Sequence, residues 1–251
     1  MSGAYSLTSV AAMRRLALAL GLVPLLAACT DPNFGLAESR PTTATQQLGE
    51  LKGQLRSQPS NADTLKKIGK LQAAQSYWPE SMGAYREALI VAPGDREALL
   101  GFGNAQLAMG DYNGALQTAA NAGGADIEVL ILKSGAMAGL GQLPQARAIL
   151  EQAQAINPRD LDVRNNIALV AALSGDPTAY AMARSVAFAP DATPRHILNL
   201  PVVGGITGND AAARTDASRL GVQPEEIGDL IAVGRRARLQ GLQALSVLAR
   251  Q

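Results

Sequence analysis

Two interleaved ladders of helix-ending residues constrain this chain more than any single motif. Gly110, Gly141, Gly175 and Gly208 stand in MGD, LGQ, SGD and TGN and recur at intervals of 31, 34 and 33 residues. Pro59, Pro93 and Pro158 stand in QPSN, APGD and NPRD, each just after an apolar helical pattern; their separations of 34 and 65 make the second interval nearly twice the first. Glycine closes a helix in the left-handed conformation, and proline cannot continue one. A period near 34 residues therefore predicts one helix-turn-helix unit per repeat.

A finer ruler runs inside each period. From Ala62 the positions Gly69, Ser81, Tyr85, Ala88 and Pro93 follow at steps of 12, 4, 3 and 5. From Arg96 come Gly103, Ala115, Ala119 and Ala122, and from Ile127 come Ser134, Ala146, Leu150, Ala153 and Pro158, on the same steps. A fourth unit from Leu161 keeps Ala168, Tyr180 and Ala187 but reaches Pro190 two residues early, and a fifth from Pro194 keeps Gly208, Ala213 and Ala217 before the pattern fades. Antiparallel helices approach closely only where side chains are small, so alanine, serine or glycine marks each predicted crossing. The larger Tyr85 or Leu150 fills the space beside it. One pair cannot bury its apolar faces alone, whereas stacked pairs share a core. The period resembles that of the tetratricopeptide repeat, which implies an all-α solenoid, a right-handed superhelix of antiparallel helix pairs. Only 4% of residues are aromatic while alanine is abundant, which suits close-packed helices better than sheets.

The ends depart from the ruler, as capping elements should. Residues 45–61 predict a lone second helix that caps the first pair, four units occupy 62–193, and 194–251 hold the degenerate fifth unit and a terminal capping helix. That last helix opens with Pro224, Glu225 and Glu226, which suit a helix start in geometry and in charge. Ile227, Leu230, Ile231, Leu239, Leu242, Leu245 and Leu248 give it an apolar side, and Arg235, Arg236 and Arg238 form a basic run.

Before the array, Met13-Arg14-Arg15 is a charged start, Leu16 to Leu26 is nearly unbroken apolar sequence, and Leu26-Ala27-Ala28-Cys29 closes it with small residues. This order reads as a secretory signal over residues 1–28, and its apolar part, about eleven residues, is too short to span a bilayer. Residues 1–12 add no charge, so Met13 is the expected start of translation. The closing Leu-Ala-Ala-Cys resembles the lipobox of bacterial lipoproteins, which implies cleavage between Ala28 and Cys29 and acylation of Cys29. Thr30 is not the aspartate that resembles an inner-membrane retention signal, so the outer membrane, periplasmic side, is the expected location. Residues 29–44 carry two prolines and no helical period, as a flexible tether does.

Several functions are disfavoured by what the chain lacks. A formal charge of +1 gives no footprint for nucleic acid, and loss of Arg14 and Arg15 with the signal leaves a formal charge of −1. One cysteine makes no intrachain disulfide and no cysteine-built metal site. His196 is the only histidine and reads as structural; no catalytic set, metal site, cofactor site or small-molecule pocket is expected. Gly204-Gly205-Ile206-Thr207-Gly208 lacks the Lys-Ser/Thr of a phosphate loop and reads as a helix end plus turn. Trp78, in SYWPES, reads as packing at the first unit's turn. Glu225 and Glu226 are adjacent on a helix, point in different directions, and read as helix-start residues rather than an acid pair.

The combination of signal, tether, about four units and a degraded last unit followed by PEEI is similar to the TadD-type tetratricopeptide lipoproteins of tight-adherence pilus systems. DLDVRNNIALVAALSGD, residues 160–176, carries the likeness best in its R-x-N-x-A-L-x-x-A-x-x-G frame, and PRHILNLPVVGGITGND, residues 194–210, echoes it. The resemblance implies a scaffold that binds an outer-membrane secretin or another pilus-assembly component. A general envelope scaffold not tied to pili, and an envelope polysaccharide or peptidoglycan enzyme, stay open as alternatives.

In such arrays the first helix of each unit lines the concave face. The ruler places Lys66, Lys67 and Lys70 there, then Asn104 and Leu107, Ile131 and Leu132, Asn165, Asn166 and Leu169, and Leu198, Asn199 and Val202. Carboxamides alternate with aliphatic patches, which suits an extended peptide whose backbone needs donors and acceptors together.

Overall fold

The computed structural model describes residues 44–240, and twelve helices are formed in that span. The first, α1 (Ala44–Ser57), stands alone. Five hairpins come next: α2 (Ala62–Ala74) with α3 (Trp78–Val91), α4 (Arg96–Ala108) with α5 (Tyr112–Ala122), α6 (Ile127–Gly139) with α7 (Leu143–Ile156), α8 (Leu161–Leu173) with α9 (Ala179–Ala187), and α10 (Pro194–Thr207) with α11 (Asp210–Arg219). The last helix described is α12 (Pro224–Gln240). The signal segment, Cys29, the tether up to residue 43, and Leu242, Leu245 and Leu248 lie outside the described residues.

The first helices of successive hairpins, α2, α4, α6, α8 and α10, stack side by side with α12 as the final member of the row, and the second helices pack on one side of it. The terminal helices complete the row at its two ends: α1 lies against α2, and α12 lies against α10 and α11.

Local chemistry sets the boundaries. Asn61, Asp95, Asp126 and Asp160 precede α2, α4, α6 and α8, and each side chain accepts a hydrogen bond from a backbone N–H in the first turn. Thr193 and His196 form a reciprocal capping box at the start of α10. At the other end of α4, α6, α8 and α10, Gly110, Gly141, Gly175 and Gly208 have φ of 75°, 78°, 78° and 79°, the left-handed state the glycine ladder predicts. Ser76 holds the same place after α2 with φ of 62°, a non-glycine where the array asks for glycine. Its Oγ is buried without a hydrogen-bond partner.

The ruler marks real crossings. Ser81 Oγ donates to the Gly69 carbonyl at 2.8 Å, and Ser134 Oγ to the Ala146 carbonyl at 3.1 Å, each pair twelve residues apart. The Tyr85 ring lies where side chains at Gly69 and Gly101 would stand, so it locks the first hairpin to the second. Tyr112 uses Gly139 in the same way.

Two sequence expectations need correction. In the fourth unit the crossing residue is Ala179, not Tyr180: Ala179, Ala183 and Val186 are buried at steps of 4 and 3, while Tyr180 is only half-buried and turns its hydroxyl to Asp216 at 3.0 Å. One residue is missing from the turn between Gly175 and Ala179, and that deletion shifts the ruler. Trp78 begins α3 and is buried in the main core rather than confined to the turn.

Candidate partner-binding face

The row of first helices is far more enclosed than periodicity alone suggests. Leu107, Ile131, Leu132, Leu169 and Val202 belong to the main hydrophobic core. Asn165, Asn166 and Asn199 are 3%, 1% and 2% exposed. Asn104 and Leu198 are half-buried, and only Lys67 and Lys70 are open to solvent. The expectation that all these positions line an open face is therefore corrected. Neighbours rich in glycine and alanine, such as Gly103, Gly135, Ala136, Ala168 and Ala172, let the backbones come close, and the aliphatic positions are drawn into the shared core.

Burial makes the amides informative. Asn166 Oδ1, both side-chain amide atoms of Asn199, and Asn104 Oδ1 are shielded from solvent and have no hydrogen-bond partner. Asn166 and Asn199 stand at the same position of α8 and α10, the sixth residue of each helix. A buried donor or acceptor left unmade costs about 1–3 kcal/mol. Asn166 is flanked by Asn165 and Ile167, and Asn199 by Leu198 and Leu200.

Lys66 is not available to a partner. Its side chain is 11% exposed and its Nζ reaches Asp95 at 2.8 Å, Glu97 at 2.9 Å and Asp63 at 3.1 Å. Burial acts to lower its pKa, but the hydrogen bonds to Asp95, Glu97 and Asp63 outweigh it and hold the ammonium charged above its usual range. Lys66 is thus a strut from α2 to the start of α4. Lys67 and Lys70 instead edge an open groove of about 590 Å³ between α1 and α2, floored by Leu51, Leu71 and Ala74.

The joint between α8 and α10 carries a second polar strut. Asp162 Oδ1 accepts from Arg195 Nη2 at 2.6 Å and lies 3.0 Å from His196 Nε2. His196 Nδ1 accepts the Thr193 backbone N–H at 3.1 Å, so the proton sits on Nε2 and points at Asp162. Burial acts to raise the Asp162 pKa, yet the His196 hydrogen bond and the Arg195 charge hold it below the ordinary carboxylate value. All three groups are engaged with one another, so the only histidine serves the joint between units.

Gly204 and Gly205 also have a structural role, beyond the helix end expected of them. A side chain at Gly204 would strike Ala213 Cβ at 2.4 Å, and one at Gly205 would strike the Ile231 carbonyl at 2.2 Å. Gly234 answers from α12, where a side chain would fall 2.0 Å from the Val202 carbonyl. Leu239, expected on the apolar packed side of this helix, is 81% exposed. Glu225 and Glu226 sit in the first turn of α12.

Sequence reasoning missed the ladder of capping residues at 61, 95, 126 and 160. Its signal was present: an asparagine or aspartate one residue before each unit start, with the period of the glycines.

No protein-family model matches this sequence, and no curated protein matches it significantly. Solved structures do resemble it. A tetratricopeptide repeat protein from Parabacteroides merdae aligns over 76% of this chain and 78% of its own, with TM-score 0.65 and 17% identity. A thermophilic tetratricopeptide protein from Thermus thermophilus aligns over 71% of this chain and all of its own, with TM-score 0.60 and 24% identity. MamA from Desulfovibrio magneticus RS-1 aligns over 58% of this chain and 84% of its own, with TM-score 0.50 and 19% identity. At these identities the likeness is one of fold, and it agrees with the period, the paired helices and the glycine-closed turns: the chain folds as a tetratricopeptide α-solenoid.

Proposed function

We propose that this chain is an exported, lipid-anchored scaffold whose helical array binds a protein partner and serves assembly or localisation of a tight-adherence pilus apparatus at the outer membrane. The observation that carries the binding role is the pair of buried, unpartnered carboxamides of Asn166 and Asn199, one unit apart on α8 and α10. A peptide backbone offers the donor and acceptor that such an amide lacks. Contact requires the face to loosen or the amides to rotate outward, and the cost of the unmade bonds in the free protein favours that change. Half-exposed Leu198 and Asn104 border the same row.

The anchor rests on Leu26-Ala27-Ala28-Cys29 following a charged and apolar leader. Two or more acyl chains hold a protein at a bilayer far better than one, since each buried methylene contributes about 0.8 kcal/mol. The pilus assignment rests on the likeness of residues 160–176 and the overall order of segments to TadD-type proteins, and it names an outer-membrane secretin or another pilus-assembly component as the partner. Deletion of the gene tests it. Secretin multimers in the outer membrane should fall and return with the wild-type gene but not with Cys29→Ser; unchanged multimers and pili after deletion would refute the pilus assignment.

A further inference from the structure

Among the described residues α1 is a second helix with no first helix beside it, so α2 shows a face that later first helices bury. Register identifies that face. At the sixth residue of the first helices, the Tyr85 ring of α3 fills the space beside Gly101 of α4, and Leu132 of α6 lies against Gly103 of α4. At the thirteenth, the Tyr112 ring of α5 fills the space beside Gly139 of α6. Both positions therefore face the preceding hairpin. The tenth residues Ala105, Ala136, Val170 and Val203 are at most 1% exposed. In α2 the same three places hold Lys67, Leu71 and Ala74; Lys67 and Ala74 are exposed there, and Leu71 is half-buried.

These three residues open on the groove of about 590 Å³ between α1 and α2, where Leu51 joins Leu71 and Ala74 on the floor. No residue of α1 is buried, and its Leu48, Leu51 and Leu55 are all half-buried. A finished cap turns a polar face outward. Here leucines stand in an open groove instead. The groove is also charged where later units are not. Lys70 is the ninth residue of α2, and α6, α8 and α10 carry Gly135, Leu169 and Val202 at that place. Lys67 and Lys70, three residues apart, share one side of α2. Glu50 is the one carboxylate among the lining residues, so the α2 edge of the groove is basic.

We infer that this groove takes an amphipathic helix of a protein partner, small and apolar where it meets Leu51, Leu71 and Ala74, with carboxylates three or four residues apart along the edge that meets Lys67 and Lys70. The docked helix stands where a preceding first helix would stand, parallel to α2 and paired with α1, and so extends the array by one hairpin. Packed helices lie about 8–10 Å apart, and a helix of the length of α2 runs about 20 Å, which sets the size of the segment recognised. The site uses neither the carboxamides of Asn166 and Asn199 nor the lipid anchor.

A synthetic helix tests the inference on the full chain carrying Cys29→Ser. The probe is a stapled peptide of the length of α2, with alanines and a leucine along one side and glutamates three and four residues apart beside them. Its controls carry glutamine or lysine in place of glutamate. Calorimetric titration should show the glutamate peptide binding about fivefold or more tighter than the glutamine peptide, as two exposed ion pairs predict. In Lys67→Glu with Lys70→Glu the order should reverse in favour of the lysine peptide. Ala74→Trp fills the floor from an exposed position and should abolish binding with helicity unchanged. Amide exchange in α1 should slow when the glutamate peptide is added, while exchange in α12 stays the same. No binding to the chain with an unaltered groove, or binding that Ala74→Trp and the charge reversal leave intact, would overturn the inference and make the groove a solvated cap. A dimer of the chain that Ala74→Trp dissociates would also overturn it and assign the groove to a second copy. If Ala74→Trp lowers helicity, Gln54→Trp on the α1 edge asks the same question.

Discussion

Gly234→Ala is expected to detach the last helix, and Gly83→Ala is its matched control. Both glycines lie inside helices, where alanine is favoured over glycine by about 0.8–1.0 kcal/mol. At Gly83 an added methyl group meets nothing within 4 Å, so that gain should appear almost whole. At Gly234 the same methyl falls 2.0 Å from the Val202 carbonyl, 2.9 Å from Ile206 N and 3.0 Å from Gly205 Cα. All three are backbone atoms of α10 and cannot swing aside. Contact at ordinary distance requires α12 and α10 to part by more than an ångström, and Gly205 and Gly234 no longer interlock. Overpacking of this kind costs about 1–3 kcal/mol, occasionally more, which exceeds the propensity gain. Native-state amide exchange reads the outcome locally, which matters because a repeat array need not unfold as one unit. Net of the propensity gain the cost reaches about 2 kcal/mol, so opening of residues 224–240 should become up to about 40-fold more frequent in Gly234→Ala, at 1.4 kcal/mol per tenfold, while Gly83→Ala slows opening of α3. If Gly234→Ala stabilises α12 as Gly83→Ala stabilises α3, the close crossing does not exist.

Ser76→Gly should stabilise the first hairpin by about 0.5–1 kcal/mol, since it relieves a left-handed serine and removes a buried unpaired hydroxyl at some cost in chain entropy; a lower denaturation midpoint would contradict this. Acid should weaken the array. Asp95, Asp126, Asp162, Asp176 and Asp216 are all held below the ordinary carboxylate value of 3.8, so below about pH 4 the folded chain binds fewer protons than the unfolded one. The stability they contribute is present above that pH and lost as pH falls through their lower folded values; a denaturation midpoint at pH 3 equal to that at pH 5 would contradict the sign. Cys29→Ser should abolish acylation and release the protein from membranes with helicity intact, and mass spectrometry that finds the mature terminus elsewhere, or Cys29 unmodified, would refute the anchor.

Much of the fold was legible because its causes are local. The starts of α2, α4, α6, α8, α10 and α12 fall at Ala62, Arg96, Ile127, Leu161, Pro194 and Pro224, where the ruler and the helix-start chemistry place them. Each start follows from a turn glycine, a capping side chain or a proline within a few residues. The fourth unit was misread by one residue because a deletion in a turn leaves no mark except a shifted register, and Tyr180 sits where the undeleted ruler would put a small side chain. The binding face was less legible. Helical phase tells which positions point along the first-row face, but not how far close-packed glycine and alanine draw that face into the core, so Leu107, Ile131, Leu169 and Val202 became core and Lys66 became a strut. Nor does sequence distinguish a carboxamide bonded in place from one left waiting. That difference exists only in three dimensions.

The central claim, a scaffold that holds a protein partner through Asn166 and Asn199, is tested most directly by measuring partner capture and stability on one double variant. Full-length wild type and Asn166→Ala with Asn199→Ala are cross-linked in native membranes, the captured envelope protein is identified and quantified, and each purified protein is melted. Loss of about 1 kcal/mol per bond predicts at least tenfold less of the same partner. Because the amides are unpaired in the free protein, the melting temperature should be unchanged or raised. Equal capture by the double variant, or a large drop in melting temperature accounting for any loss, would contradict the account.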